Sequence, residues 1–474
     1  MTLSLSLLIH TVLQIVTAMR ALTRPGRQPT SRAAWLLLIA SLPVVGMVLY
    51  FLFGETSIGG RVARRMGAAA KLLDRAPAPR AAAEPVPDQF HEAFRRAGAV
   101  NGFLPLGGNA ATIPPDENAA IDALIADIDA AARDVHLLFY IWLSDRNGRR
   151  VLDAVRRASE RGVTCRLLID GLGSRRLAAS ARWRGLRKAK VKTAITFKTL
   201  WLPIHIFFAR IDLRNHRKIA VIDGRIGYVG SQNCADPEFR VKKRFAPWVD
   251  VMMRLEGPVV GQLQHLFAID WMTHAREDIS ALLDEPTGEV AGGFPAIAVG
   301  SGPNIDSRAV SDLFAMLLTA ARDEVVITTP YFVPDETLLR AICGAALRGV
   351  RVTMILPARN DSLFVAHASR SYYGDLLRSG VTLAEYEGGL LHAKTMTVDG
   401  AAALIGSANM DRRSFELNYE NNVLLVDSGV TAQIRARQEA YLLKSHRLAA
   451  EDMLRQRWYD RALNNLFATM GPLL

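Results

Sequence analysis

Cysteine is scarce in this chain, with three residues in 474. That excludes a disulfide framework, and Cys165, Cys234 and Cys343 read as free thiols with packing roles. Also absent is any block of lysine and arginine long enough to single out nucleic acid, although the formal charge is +12. A surplus of that size favours anionic partners, and on its own it leaves nucleic acid and the phosphate surface of a bilayer both open. What the chain has in quantity is hydrophobic residues, 50% of the total. They allow a large core, and the length suits two or three domains.

Charge is missing from two long stretches near the start. Residues 1–19, "MTLSLSLLIHTVLQIVTAM", hold only His10, and "AAWLLLIASLPVVGMVLYFLFG" (33–54) holds no charge. Each has the length of a bilayer-crossing helix, so residues 1–60 are predicted to form a two-helix membrane hairpin. A signal peptide is disfavoured, because no basic segment precedes the first stretch and no small-residue cleavage site precedes Arg20. The loop "RALTRPGRQPTSR" and the segment "RVARRMGAAAKLLDR" behind the second stretch are both basic, so the positive-inside vote is split. Residues 61–110 read as a linker and supporting segment, with a Pro/Ala-rich stalk at 76–87.

The rest of the chain repeats itself. "DVHLLFYIWLSDRNGRRVLDAVRRASERGVTCRLLIDG" from Asp134 and "DEVVITTPYFVPDETLLRAICGAALRGVRVTMILP" from Asp323 share one plan. Each gives a β-branched strand, an Asp at a helix N-terminus (Asp145, Asp335), an amphipathic helix, Arg-Gly-Val and a second strand. Strand–helix–strand units imply an α/β fold with mostly parallel or mixed sheets. Two similar halves are expected, 111–290 and 291–474.

Each half carries one copy of His-x-Lys-x4-Asp-x6-Gly-Ser-x-Asn. The first copy is His216, Lys218, Asp223, Gly230, Ser231 and Asn233; the second is His392, Lys394, Asp399, Gly406, Ser407 and Asn409. The His residues are too far apart in sequence for local packing, and a pseudo-two-fold fold would bring them together. Read as strands, "RKIAVID" and "AKTMTVD" put His and Lys on one side. Asp223 and Asp399 precede glycines, where a turn is expected. Two lysines with the Ser and Asn donors suit a phosphodiester and its developing charge. That neutralisation needs no metal, and lysine beside each His opposes a bound cation, so no metal or cofactor is expected. One imidazole can attack phosphorus while the other serves as acid and base. Asp250 and Glu420 are candidates for orienting the two rings. His136, His205, His265 and His367 read as ordinary packing or surface residues.

These paired strings resemble the HKD motifs of the phospholipase D superfamily. With "DGLGS" (170–174), "TTPYFVPD" (328–335), "ASRSYY" (368–373) and "GSANMDRRSFELNYE" (406–420), the chain resembles the bacterial cardiolipin synthases. The resemblance implies a phosphatidyltransferase in the bacterial inner membrane, multi-pass and acting on anionic phospholipid. Phosphatidylglycerol is the implied chief substrate, cardiolipin and glycerol the implied products. It implies His216 as the nucleophile, with the reverse assignment open, and His392 as acid/base. Lys218, Ser231, Asn233, Lys394, Ser407 and Asn409 would hold phosphate; Asp223 and Asp399 complete the catalytic motifs. A hydrolytic phospholipase D is the alternative, and a nuclease is disfavoured by the anchor. "LWLPIHIFFAR" (200–210) is expected either at the bilayer interface or as a buried strand and loop.

Overall fold

The computed structural model describes residues 2–26, 28–73, 86–197, 210, 212–285 and 287–471. The stalk and the apolar stretch at 200–210 lie outside the described residues, apart from 86, 87 and Arg210.

Each repeat folds as its residues dictate. In the first, the strand Asp134–Phe139 leads to the helix Arg146–Glu160, where the Asp145 carboxylate accepts the Gly148 N–H. The helix ends at Gly162, whose φ of +94° needs a residue without Cβ, and the strand Thr164–Asp170 returns parallel to the first. In the second, Glu324–Thr328, Glu336–Leu347 and Arg351–Pro357 follow the same course, with Asp335 capping Leu338 and Gly349 at +93°.

The sheet is mixed. Parallel pairing is confined to Asp134–Phe139, Thr164–Asp170 and Lys192–Thr196, to their counterparts Glu324–Thr328, Arg351–Pro357 and Thr382–Tyr386, and to short pairs outside these ladders. The motif strands pair antiparallel, Ile219–Ile222 with Ile226–Gly230 and Thr395–Val398 with Ala402–Gly406. Leu106–Thr112 joins Met252–Glu256 on one side and Phe294–Ser301 on the other, and the latter pairs with Asn418–Val426. Strand order is the same for six strands outward from this join in both directions, with Ser445–Arg447 added at one edge, so one continuous sheet of 16 strands carries both halves. The helix Val259–Ala275 is buried along most of its length against a core drawn from both halves.

The N-terminal segment departs from the sequence expectation. Among the described residues one helix, Leu5–Thr23, is long and apolar enough to cross a membrane. The second apolar stretch is broken at Leu42-Pro43 into the helices Pro29–Ser41 and Pro43–Phe53. Pro43 cannot donate to the preceding turn, and Leu42 leaves the helical region at φ −130°, ψ 71°. At 1.5 Å per residue neither piece exceeds about 20 Å, against a hydrocarbon core of about 30 Å. The pieces fold back on each other, with the Trp35 and Tyr50 rings 5.5 Å apart. A two-crossing hairpin, and the multi-pass placement that rested on it, are therefore not what this sequence builds.

Candidate active site

Two short cross-half pairings set the site. Arg214–Asn215 runs parallel to Asn418–Tyr419, and Leu390–Leu391 runs parallel to Trp248–Val249. The His216 N–H donates to the Tyr419 carbonyl at 2.9 Å, and the His392 N–H to the Val249 carbonyl at 2.7 Å. Each His therefore lies beside the carboxylate-bearing strand of the other half. His216 Nδ1 is 2.9 Å from Glu420 Oε2, and His392 Nδ1 is 2.7 Å from Asp250 Oδ1. With Nδ1–H given to a carboxylate, each ring keeps its Nε2 lone pair for chemistry. Both rings line one cleft of about 400 Å³ together with Asn233, Asn409, Tyr140, Tyr331 and Trp248.

Glycine permits this packing at two positions. A Cβ on Gly230 would stand 2.2 Å from the Val251 carbonyl oxygen, and one on Gly406 would stand 2.4 Å from that of Asn421. Both glycines let the motif strand lie against the strand carrying the carboxylate. Ser231 and Ser407 follow them and face backward. Ser231 Oγ donates to Asp250 at 2.5 Å and accepts the Val251 N–H; Ser407 Oγ donates to Glu420 and accepts the Asn421 N–H. Fully buried and bonded on both sides, these hydroxyls hold the carboxylates.

Asp223 and Asp399 take the turn positions expected of them. They sit at the far ends of the motif strands, at φ +54° and +51°. Asp223 accepts the N–H groups of Ala132, Arg133 and Asp134, and Asp399 those of Arg322, Asp323 and Glu324. They pin a turn to the neighbouring strand and line no part of the cleft.

The lysines are fully enclosed. Lys218 Nζ donates to the His216 carbonyl at 2.6 Å and lies 5.6 Å from the Tyr140 ring centre; Lys394 Nζ donates to the His392 carbonyl. The ordered strand starts at Ile219, so His216 and Lys218 occupy the link between two strands rather than one strand face. Burial pulls Lys218 down to about 8, against Glu420, Asp250 and Asp170, and Lys394 down to about 7, against Asp250 and Glu420. Burial also lowers His216 to about 4 despite Glu420, and lowers His392 despite Asp250. For Asp250 and Glu420 burial acts upward, but their histidine and lysine partners hold both below the usual carboxylate range. Asn233 Oδ1 accepts the Ile141 N–H, so the amide nitrogen is what it can offer the cleft.

Several residues at the site carried no assignment from sequence. Asp170, in "DGLGS", accepts the N–H groups of Leu172, Gly173 and Asn215, which fixes the backbone just before His216. Arg217, on the opposite side from His216, bonds Asp270 at 3.0 Å and the carbonyls of Glu420 and Ser301, tying the halves together. Tyr140 packs on His216 with ring centres 4.8 Å apart, and Tyr331 lies 6.3 Å from His392. These two tyrosines hold like places in the repeat, a few residues before Asp145 and Asp335, and that was a readable signal. Trp248 packs on His392 at 4.7 Å and stacks on Phe239 at 4.0 Å. Its counterpart two residues before Glu420 is Asn418, so the two ends of the cleft differ.

Residues 124–271 and 314–441 match the family profile "Cardiolipin synthase, PLD-like domain", and 12–55 match "Phospholipase_D-nuclease N-terminal". The chain is 35% identical to cardiolipin synthase A of Klebsiella pneumoniae (strain 342) over 463 residues, 94% of each chain. It is 35% identical over 460 residues to cardiolipin synthase A of Escherichia fergusonii, again covering 94% of each. The crystal structure of phosphatidylserine synthase from Haemophilus influenzae Rd KW20 superposes with a TM-score of 0.57 at 16% identity. It covers 80% of this chain and 99% of that one, a likeness of fold. The chain belongs to the cardiolipin synthase family of phospholipase D-like proteins.

Proposed function

We propose that the cleft transfers a phosphatidyl group from one phosphatidylglycerol to a second, giving cardiolipin and glycerol, by way of a phosphohistidine. His216 Nε2 attacks phosphorus as the P–O bond to the glycerol headgroup breaks, and the departing oxygen takes a proton from His392. A hydroxyl of the second lipid then gives its proton to His392 and attacks phosphorus, and the N–P bond breaks. His216, with a pKa near 4, is neutral at neutral pH and keeps its lone pair. A phosphodiester anion in the cleft would favour the proton on His392. Lys218, Lys394, Asn233 and Asn409 are the groups proposed to take up the phosphate charge, and Glu420 and Asp250 hold the rings. The carrying observation is that two imidazoles from different halves, each fixed at Nδ1 by a buried carboxylate, open on one cleft.

Headgroup-labelled phosphatidylglycerol in vesicles tests the reading. The wild type releases glycerol and forms cardiolipin, and His216→Ala or His392→Ala lowers turnover by orders of magnitude. Near-normal turnover in either variant refutes the two-histidine scheme. Phosphatidic acid as the main lipid product would make the enzyme hydrolytic. An adduct trapped on His392 would exchange the two roles.

A further inference from the structure

The first 55 residues fold in a way that decides which parts of the chain share one side of a bilayer. The crossing helix ends beside the point where the folded-back pair returns: Arg20 and Arg24 both pair with Glu55, Arg20 Nη2 lying 3.0 Å from Glu55 Oε2. Halfway up, Gln14 Nε2 donates to the Ile39 carbonyl at 3.0 Å, so Pro29–Ser41 climbs alongside the first helix in the opposite sense. The pair turns at Leu42-Pro43 and descends. Gly46 is pressed so closely on the ascending piece that a Cβ there would stand 2.5 Å from the Leu38 carbonyl oxygen. Start and finish of the pair therefore lie at the same level.

That level is where the catalytic body begins. Arg412 Nη1 donates to Gln28 Oε1 at 3.3 Å, and Arg210 donates to the Phe53 carbonyl. Arg412 lies between Asp411 and Arg413, which both line the cleft. Above this level the surface is apolar. Leu5, Val12 and Val16 of the first helix and Leu37, Val45 and Val48 of the pair are all exposed, and 5–19 and 33–54 hold no formally charged residue. At this level are Arg20, Arg24 and Arg32, and the helix Gly60–Leu73, which carries Arg61, Arg64, Arg65 and Lys71, packs on the catalytic body through Met66, Ala69 and Leu73. A bilayer fits this division: hydrocarbon around the uncharged part, anionic headgroups at the arginine level.

We propose that the N-terminal segment is one membrane-crossing helix with a re-entrant helical pair beside it. The arginine turn and the catalytic body then share one face of the bilayer, the cytoplasmic one, with the mouth of the cleft at the headgroup layer. Leu42-Pro43 is the apex, set within the hydrocarbon, and never reaches the far side. Both basic segments now fall on one side, so the positive-inside rule gives a single answer. The inference concerns topology and is independent of the reaction assigned to the cleft.

Single-cysteine labelling of the full chain in bacterial membranes tests it. Cys165 and Cys234 are buried, and Cys343→Ala removes the remaining thiol. Into that background go Thr30→Cys in the turn, Leu347→Cys on the body and Val45→Cys near the apex, each probed with a membrane-impermeant maleimide. The expected result is that Thr30→Cys and Leu347→Cys react in inverted vesicles and not in spheroplasts, while Val45→Cys reacts in neither until detergent is added. Reaction of Thr30→Cys and Leu347→Cys from opposite sides restores two crossings and overturns the proposal. Reaction of both in intact spheroplasts overturns the cytoplasmic placement, and reaction of Val45→Cys from the face opposite the body overturns the re-entrant pair. Pro25→Cys repeats the turn measurement should Thr30→Cys fail to accumulate.

Discussion

If each histidine is held by the opposite half, conservative loss of one carboxylate should damage one chemical step. Glu420 is fully buried; Oε2 serves His216 and Ser407, and Oε1 accepts the Asn418 amide at 3.1 Å. In Glu420→Gln the new oxygen can keep the Oε2 place, with its NH2 facing an Asn418 amide that flips to accept. Shape is then retained and the charge is lost. A hydrogen bond to a charged partner contributes about 1.5–3 kcal/mol, so formation of the His216 adduct should slow by about 10- to 100-fold. Asp250→Asn should slow leaving-group protonation by a similar factor through His392. A phosphatidyl ester of p-nitrophenol separates the two, because that leaving group departs without a proton. In rapid mixing with substrate in excess, Asp250→Asn keeps the nitrophenol burst and then turns over slowly, while Glu420→Gln loses the rate of the burst. The opposite pattern, with the adduct still mapped to His216, would mean that each carboxylate serves its own half, and the geometric reasoning would fall.

Three further outcomes are expected. Lys394 near 7 and Lys218 near 8 carry charge below those values and lose it above, so kcat/KM should fall as pH rises through 7–8, and Lys394→Arg should move that limb upward. A decline unchanged in Lys394→Arg would remove that lysine from charge neutralisation. Asp223→Ala strips the acceptor from three backbone N–H groups at a turn, so it should cost about 1–3 kcal/mol and lower the melting temperature while kcat at 25 °C stays near wild type; a large loss of kcat without loss of stability would return it to the catalytic set. Gly230→Ala drives a methyl into the Val251 carbonyl, so it should destabilise by about 1–3 kcal/mol or more and lower activity through displacement of Asp250, read by thermal denaturation and turnover together.

Much of this architecture was written in periodicity. The two repeats gave strands, capped helices and glycine stops because each depends on neighbours in sequence, and Asp145 and Asp335 act within three residues. The two motifs announced the site through their duplication. What could not be read was register. Whether Glu420 meets His216 or His392 depends on how Asn418–Tyr419 slides against Arg214–Asn215, a pairing across two hundred residues. Nor does a fixed spacing say why a residue is there. Asp399 stands before a glycine and reads as a turn residue, whereas nothing in the spacing says that Ser407 donates to a buried carboxylate. At the N-terminus hydropathy measured a length that a single proline divides.

Consider last the unlike ends of the cleft, Trp248 beside one ring and Asn418 at the matching place by the other. Two identical chains meeting on an axis could never differ there, since any change would appear twice. Linking the copies into one polypeptide removes that restriction. One imidazole can acquire an oily neighbour and the other a polar one, so donor and acceptor lipids need not be greeted alike.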